Sequence, residues 1–144
     1  MDFRHEERYR ERKKLESIVD RLDRDLDAII VEGIGDKKVM KMLGFTGKVF
    51  LSAERKLEML AEDVERGAER VGVMTDFDEH GKQQSKKISQ VLQDRVDVIS
   101  SSRREFGRQL TSNGRRTIEE IKPLFRSKRQ KFVDAAMDTL FFQE

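Results

Sequence analysis

Apolar residues recur at two different periods along this chain, and the changes between those periods mark out its elements. Over residues 1–26, Leu15, Ile18, Val19, Leu22 and Leu26 return at three- and four-residue intervals with charges between them, predicting an amphipathic helix. The first dozen residues are almost wholly charged and are expected to fray. The pattern then changes. "DAIIV" (27–31) is a short β-branched run that ends at "EGIGD", where two glycines punctuate it. "DKKVMKMLGF" predicts a short helix with Asp36 as its N-cap and Gly44 as its stop. "KVFLSA" (48–53) reads as a second strand, and residues 54–69 as a helix buried through Leu57, Leu60, Val64 and Ala68. "RVGVMT" (70–75) is a third strand, residues 82–95 a helix buried through Ile88, Val91 and Leu92, and "VDVIS" (96–100) a fourth strand.

This β-α-β-α-β-α-β alternation, with short connections and strands apolar on both faces, predicts an α/β fold. Its core is a four-stranded parallel sheet, doubly wound and Rossmann-like, with extra N- and C-terminal helices. Residues 1–26 form the N-terminal helix, 27–100 the core, and 101–144 a helical extension packed on it. Within that extension "RREFGRQL" is a short helical piece, and "TIEEIKPLF" opens with the capping box Thr117-x-x-Glu120 and is interrupted at Pro123. Residues 126–141 place Phe132, Val133, Ala136, Met137, Leu140 and Phe141 on one stripe. The stripe is expected to pack on the domain. Its alternative is a protein partner or a homodimer formed through the terminal helices.

Composition narrows the function classes. A chain of 144 residues suits one domain, and 40% charged against 36% hydrophobic residues demands a lean core. With no cysteine, disulfides, thiolate zinc sites and cysteine nucleophiles are excluded. No apolar run approaches the roughly 20 residues of a membrane span and the N-terminus is not a signal peptide, so a soluble cytoplasmic protein is expected. Net charge is only +2, yet residues 101–132 hold ten Lys/Arg against three Asp/Glu, a local +7 that leaves −5 to the remainder. Clustered cations of this kind suit a polyanion such as RNA or DNA; a solvated helix face is the plainer explanation.

The candidate chemistry lies in the acids that follow two of the strands. Glu32 and Asp36 follow the first strand, Asp76 and Asp78 the third. In an open parallel sheet ligands bind beyond the carboxyl ends of the strands, where strand order reverses. With the order 2-1-3-4, strands one and three are neighbours and these carboxylates share one crevice. Massed carboxylates raise one another's proton affinity unless a cation neutralises them, and hard oxygen ligands select Mg²⁺ or Mn²⁺. Gly33, Gly35 and Gly81 would let a phosphate-bearing chain approach the backbone, and Lys82, Lys86 and Lys87, opening the next helix, would add cations. A lone DxD is a weak signal. A strand-EGxxD element followed about forty residues later by a strand-DxDxxG element is much stronger.

"IIVEGIGD" (29–36) with "VGVMTDFDEHG" (71–81) resembles the signature of the TOPRIM (topoisomerase-primase) domain family over roughly residues 27–100, with the small stand-alone members common in archaea nearest in size. The resemblance implies that Glu32 serves as general acid/base or metal ligand and that Asp76 and Asp78 hold Mg²⁺. Phe77 stands where proline is frequent between the aspartates, and Glu79–His80 adds an acid and an imidazole beside the site. His80 is expected to be an exposed loop residue, with a substrate contact as the alternative.

The reading that follows is Mg²⁺-dependent nucleic-acid processing, foremost phosphodiester hydrolysis of a nuclease kind, with catalytic Glu32, Asp76 and Asp78 and with Asp36 an added ligand. Arg103, Arg104 and Arg108 would clamp the phosphate backbone. Strand passage is disfavoured because the one tyrosine, Tyr9, lies in the charged N-terminal helix. One alternative is a non-catalytic, metal-dependent RNA- or DNA-binding module of a larger processing or repair assembly. Another is primase-like nucleotidyl transfer, which the missing zinc module makes less apt. Aspartate-nucleophile phosphatases and receiver domains are disfavoured, since their paired acids follow the first strand.

Overall fold

A computed structural model of the chain describes residues 3–53 and 55–126. Helix α1 (Phe3–Asp25) is followed by β1 (Ala28–Val31), α2 (Ile34–Met42), β2 (Lys48–Leu51), α3 (Leu57–Gly67), β3 (Arg70–Val73), α4 (Glu79–Leu92), β4 (Asp97–Val98) and α5 (Ser100–Ser112). A 3-10 helix (Ile118–Phe125) closes the described chain. The four strands form one all-parallel sheet in the order β2-β1-β3-β4, as expected.

β1 is apolar at every position because both its faces are covered. Ile29 and Val31 point to one side, into a layer built by α1, α2, α5 and the 3-10 helix through Leu15, Val19, Met40, Phe106 and Ile118. Ala28 and Ile30 point to the other, under Leu60 and Val64 of α3 and Ile88 and Leu92 of α4. Each large side chain buried this way contributes about 1.5–3 kcal/mol. The terminal helices therefore complete the core of the sheet.

Handedness distributes the helices. The β1-to-β2 connection uses one face, and the β2-to-β3 and β3-to-β4 connections, which run back across the sheet, use the other. α2 therefore leaves β1 toward one edge while α4 leaves β3 toward the opposite edge. Between them, at the carboxyl end of the sheet, lies the point where strand order reverses, the usual place for a ligand in such a fold.

Several boundaries differ from those read in the sequence. Asp36 is not the N-cap of α2; the cap is Gly33, and Asp36 sits three residues inside. α4 begins at Glu79, three residues before the expected start, because Asp78 caps it. α3 is shorter than 54–69, with Ala61 buried in place of the 38% exposed Leu57. "RREFGRQL" belongs to a 13-residue helix. The expected stripe from Phe132 to Phe141 lies outside the described residues.

Candidate functional site

The register places Ile30 of β1 beside Val73 of β3, so the residues that continue these strands leave the sheet side by side. Glu32 follows β1 half-buried; Asp76 and Asp78, both half-buried, follow β3. Phe77 between them turns the other way. It is 5% exposed, its ring centroid lies 5.9 Å from that of Phe106, and a Cβ at Gly107 would fall 2.7 Å from it. An inward anchor flanked by two outward acids follows from extended backbone alternation. That alternation aims both aspartates at the switch point, and the anchor works without the proline frequent in the resembled family.

Three of the four acids are held by backbone N–H groups. Gly33 N donates to Asp36 Oδ2 at 3.1 Å and Gly81 N to Asp78 Oδ1 at 2.8 Å, each tying an acid to the start of its own helix. Ile118 N, from the 3-10 helix, donates to Asp76 Oδ1 at 3.3 Å. The Glu32 carboxylate accepts no hydrogen bond among the described residues. Charge couples the set. Burial, then the negative charge of Asp36, and further those of Glu32 and Asp78, push Asp76 up to about 6 against the pull of the Ile118 N–H. Asp36 is raised as well, first by burial and then by Glu119 and Glu32, with the Gly33 N–H opposing.

These acids meet at the switch point and feel one another, yet among the described residues no three of them stand close enough to form a ready cation cage. Asp36, Asp76 and Asp78 each give one oxygen to a backbone N–H.

Two parts of the site were not foreseen. The chain beyond α5 lies over the end of β3, where Phe77 N donates to Arg116 O at 2.7 Å and Ile118 N reaches Asp76. It brings a fifth acid, Glu119, whose Oε1 occupies the place a Cβ would take at Gly35, 1.8 Å from it. Local sequence showed only the capping box, which forms as expected, with Thr117 N 2.9 Å from Glu120 Oε1.

The second is the role of Arg103. Its guanidinium turns inward and donates to the carbonyl oxygens of Val73 (3.1 Å), Thr75 (2.7 Å) and Asp76 (2.8 Å), with its carbon 4.2 Å from the centroid of the Phe77 ring. Burial lowers it to about 10, and the charges of Asp76 and Asp78 oppose that fall. Arg103 braces the end of β3 where a phosphate clamp was expected.

The other basic candidates divide. Arg104 and Arg108 are exposed on α5. Lys82 lies one turn into α4, its Nζ 3.9 Å from Glu79 Oε1. Lys86 and Lys87 project from later turns of α4, since that helix starts at Glu79, and they do not open it. His80 is exposed, as expected. Gly33 has nothing within 4 Å of a built Cβ, so its neighbourhood is open; at Gly81 the same atom would fall 1.9 Å from Asp76 O.

A UPF0292 protein of Pyrococcus furiosus is 30% identical to this chain over 123 residues, covering 83% of the chain and 90% of that relative. The chain belongs to the UPF0292 family. A second UPF0292 protein, from Thermococcus sibiricus, is 28% identical over 114 residues, 78% of this chain and 89% of that one. No protein-family model matches the chain. A solved structure of an Aquifex aeolicus protein superposes with a TM-score of 0.61 at 22% identity, covering 75% of this chain and 95% of that one, which shows the shared fold. Among the described residues no helix of this UPF0292 protein is long and apolar enough to cross a membrane.

Proposed function

We propose that this UPF0292 protein is a divalent-metal-dependent protein of nucleic-acid processing, of the TOPRIM kind, whose best-supported reaction is phosphodiester hydrolysis. One observation carries the reading: Glu32 and Asp36 after β1 and Asp76 and Asp78 after β3 come together at the switch point of a parallel sheet, close enough for Asp76 to feel the other three.

The donor set suits Mg²⁺ or Mn²⁺. All the donors are hard oxygens, and Asp76 is held as an anion only at a cost that a cation would remove. Glu32, Asp76 and Asp78 would hold the ion, with Asp36 beside them, after side-chain turns that bring their oxygens nearer than they stand without it. When bound, such an ion supplies Lewis-acid stabilisation of phosphate oxygens and a water of lowered pKa. The remaining work falls to the chain. Ile118 N and the Arg103 brace keep Asp76 in place, and the Gly81 N–H keeps Asp78. Glu32 accepts no hydrogen bond among the described residues, so its carboxylate is free to turn toward the ion or, as the alternative role, toward the attacking water. Open space at Gly33 admits a phosphate close to the backbone.

The test is Mg²⁺-dependent nicking of end-labelled structured RNA and DNA. The proposal expects cleavage by the wild-type chain that disappears in Glu32→Gln and in Asp76→Asn. A second reading, a metal-dependent binding module without catalysis, is favoured by the capping bonds that already occupy Asp36 and Asp78. Binding of RNA or DNA with no cleavage of either would select it.

A further inference from the structure

The basic surface beside these acids is more organised than a solvated helix face. A groove of about 450 Å³ runs between the start of α4 and α5, with Phe77, Lys82, Arg104, Gly107, Arg108 and Thr111 among its lining and no carboxylate in it. It adjoins the acids directly: Phe77 sits between Asp76 and Asp78, and Lys82 N donates to Asp78 O at 2.9 Å. Arg104 and Arg108 also line a second groove, of about 550 Å³, between α1 and α5, where Ser101 and Gln109 add neutral donors and the Arg21–Glu105 pair completes the wall. The two arginines thus stand on a ridge between two grooves.

Arg104 and Arg108 lie four residues apart on one helix face, a like-charged spacing that disfavours the helix. Neither is paired with a carboxylate among the described residues. Glu105, the acid between them, is drawn away to Arg21 on α1. Arg103 also lines the first groove, but its guanidinium is engaged by backbone carbonyls, so Arg104 and Arg108 are the two arginines with uncommitted charge there. Clustered cations with hydroxyl and amide donors around them match the phosphate contacts of nucleic-acid interfaces.

We propose that the outer face of α5, with Lys82 of α4, is a track for the phosphodiester backbone of a nucleic-acid strand that leads to the acids at the switch point. The proposal rests on the nucleic-acid reading above and extends it to a defined surface. Because the contacts are to phosphates, the track holds the strand without reading its bases.

The test is fluorescence anisotropy of labelled RNA and DNA oligonucleotides, single- and double-stranded, with the full chain in EDTA, so that cleavage plays no part. Arg104→Gln/Arg108→Gln is expected to weaken binding by roughly tenfold or more and to make the dependence of log affinity on log salt shallower by about 2, while Lys41→Gln/Arg66→Gln, the same charge change at the far end of the sheet, stays within about twofold of wild type. Arg104→Lys/Arg108→Lys should retain most of the affinity. Equal losses in the two neutralised pairs, unaltered binding in Arg104→Gln/Arg108→Gln, or no oligonucleotide binding by the wild type would each overturn the track. Binding to phosphatidylserine vesicles in preference to oligonucleotides would overturn it too. A chain that binds along this face but never cleaves keeps the track and loses the hydrolytic reading.

Discussion

Ile118 N donates to Asp76 Oδ1 at 3.3 Å, joining the 3-10 helix of the C-terminal extension to the acid that leaves the central strands. Asp76 is nonetheless raised from 3.8 to about 6, so burial and the neighbouring acids outweigh that bond. A carboxyl whose folded value lies above its unfolded one favours the fold below the unfolded value, and that contribution fades as pH climbs through the folded value. The metal-free protein should therefore lose stability between about pH 4 and pH 7 through this residue. Asp76→Asn keeps an acceptor for Ile118 N and removes the charge. Urea melts should find it more stable than wild type by about 1 kcal/mol at pH 8, after allowing for solvent screening at a half-exposed group, and no more stable at pH 4. An equal difference at both pH values would place the cause elsewhere.

The same charge makes stability report on the proposed ion. Millimolar Mg²⁺ or Mn²⁺ should raise the wild-type melting temperature at pH 8, by an increment worth about 2.7 kcal/mol once the ion reaches a hundred times its dissociation constant. At pH 5 protons compete for the same carboxylates and the increment should shrink. In Glu32→Gln/Asp76→Asn it should vanish. An increment that survives in that variant assigns the ion to another place.

Gly81 and Gly33 separate packing from access. A Cβ at Gly81 would fall 1.9 Å from the backbone oxygen of Asp76, which cannot yield without moving the strand end. Gly81→Ala should cost about 3 kcal/mol or more and displace Asp76. At Gly33 φ is −140° and a Cβ would meet nothing within 4 Å. Gly33→Ala should leave chemical denaturation midpoints within about 0.5 kcal/mol of wild type. A matching loss at both positions would show that the strand end is not the rigid part.

Arg103 makes a separate prediction. Its bonds to the carbonyl oxygens of Val73, Thr75 and Asp76 give three strand-end acceptors a single charged partner. Arg103→Met, close in volume, should destabilise by about 2–3 kcal/mol in equilibrium unfolding. Arg103→Lys should recover part of that loss, since an ammonium keeps the charge but lacks the planar fork. A full recovery by lysine would mean that charge alone matters there.

Sequence patterning made much of this site legible. The strand order and the neighbourhood of Glu32 and Asp76 follow from strands apolar on both faces and from right-handed crossovers. Asp36 and Asp78 were legible as acids near helix starts, but their places were not, because a three-residue change in where a helix begins moves an acid from capping position to interior. Arg103 was legible as a cation and misassigned as a surface one. No local pattern distinguishes an arginine facing solvent from one facing the carbonyls of a strand thirty positions earlier.

What this sequence determined alone is its set of elements, their parallel arrangement and the gathering of acids at one end of the sheet. Periodicity and chirality act over a few residues at a time, so they can be read in order along the chain. Tertiary packing decided where each oxygen points, which cations remain on the surface, and that the segment around Ile118 and Glu119 lies over β3. Those outcomes depend on contacts between residues far apart in sequence, whose geometry exists only after the helices have settled on the sheet.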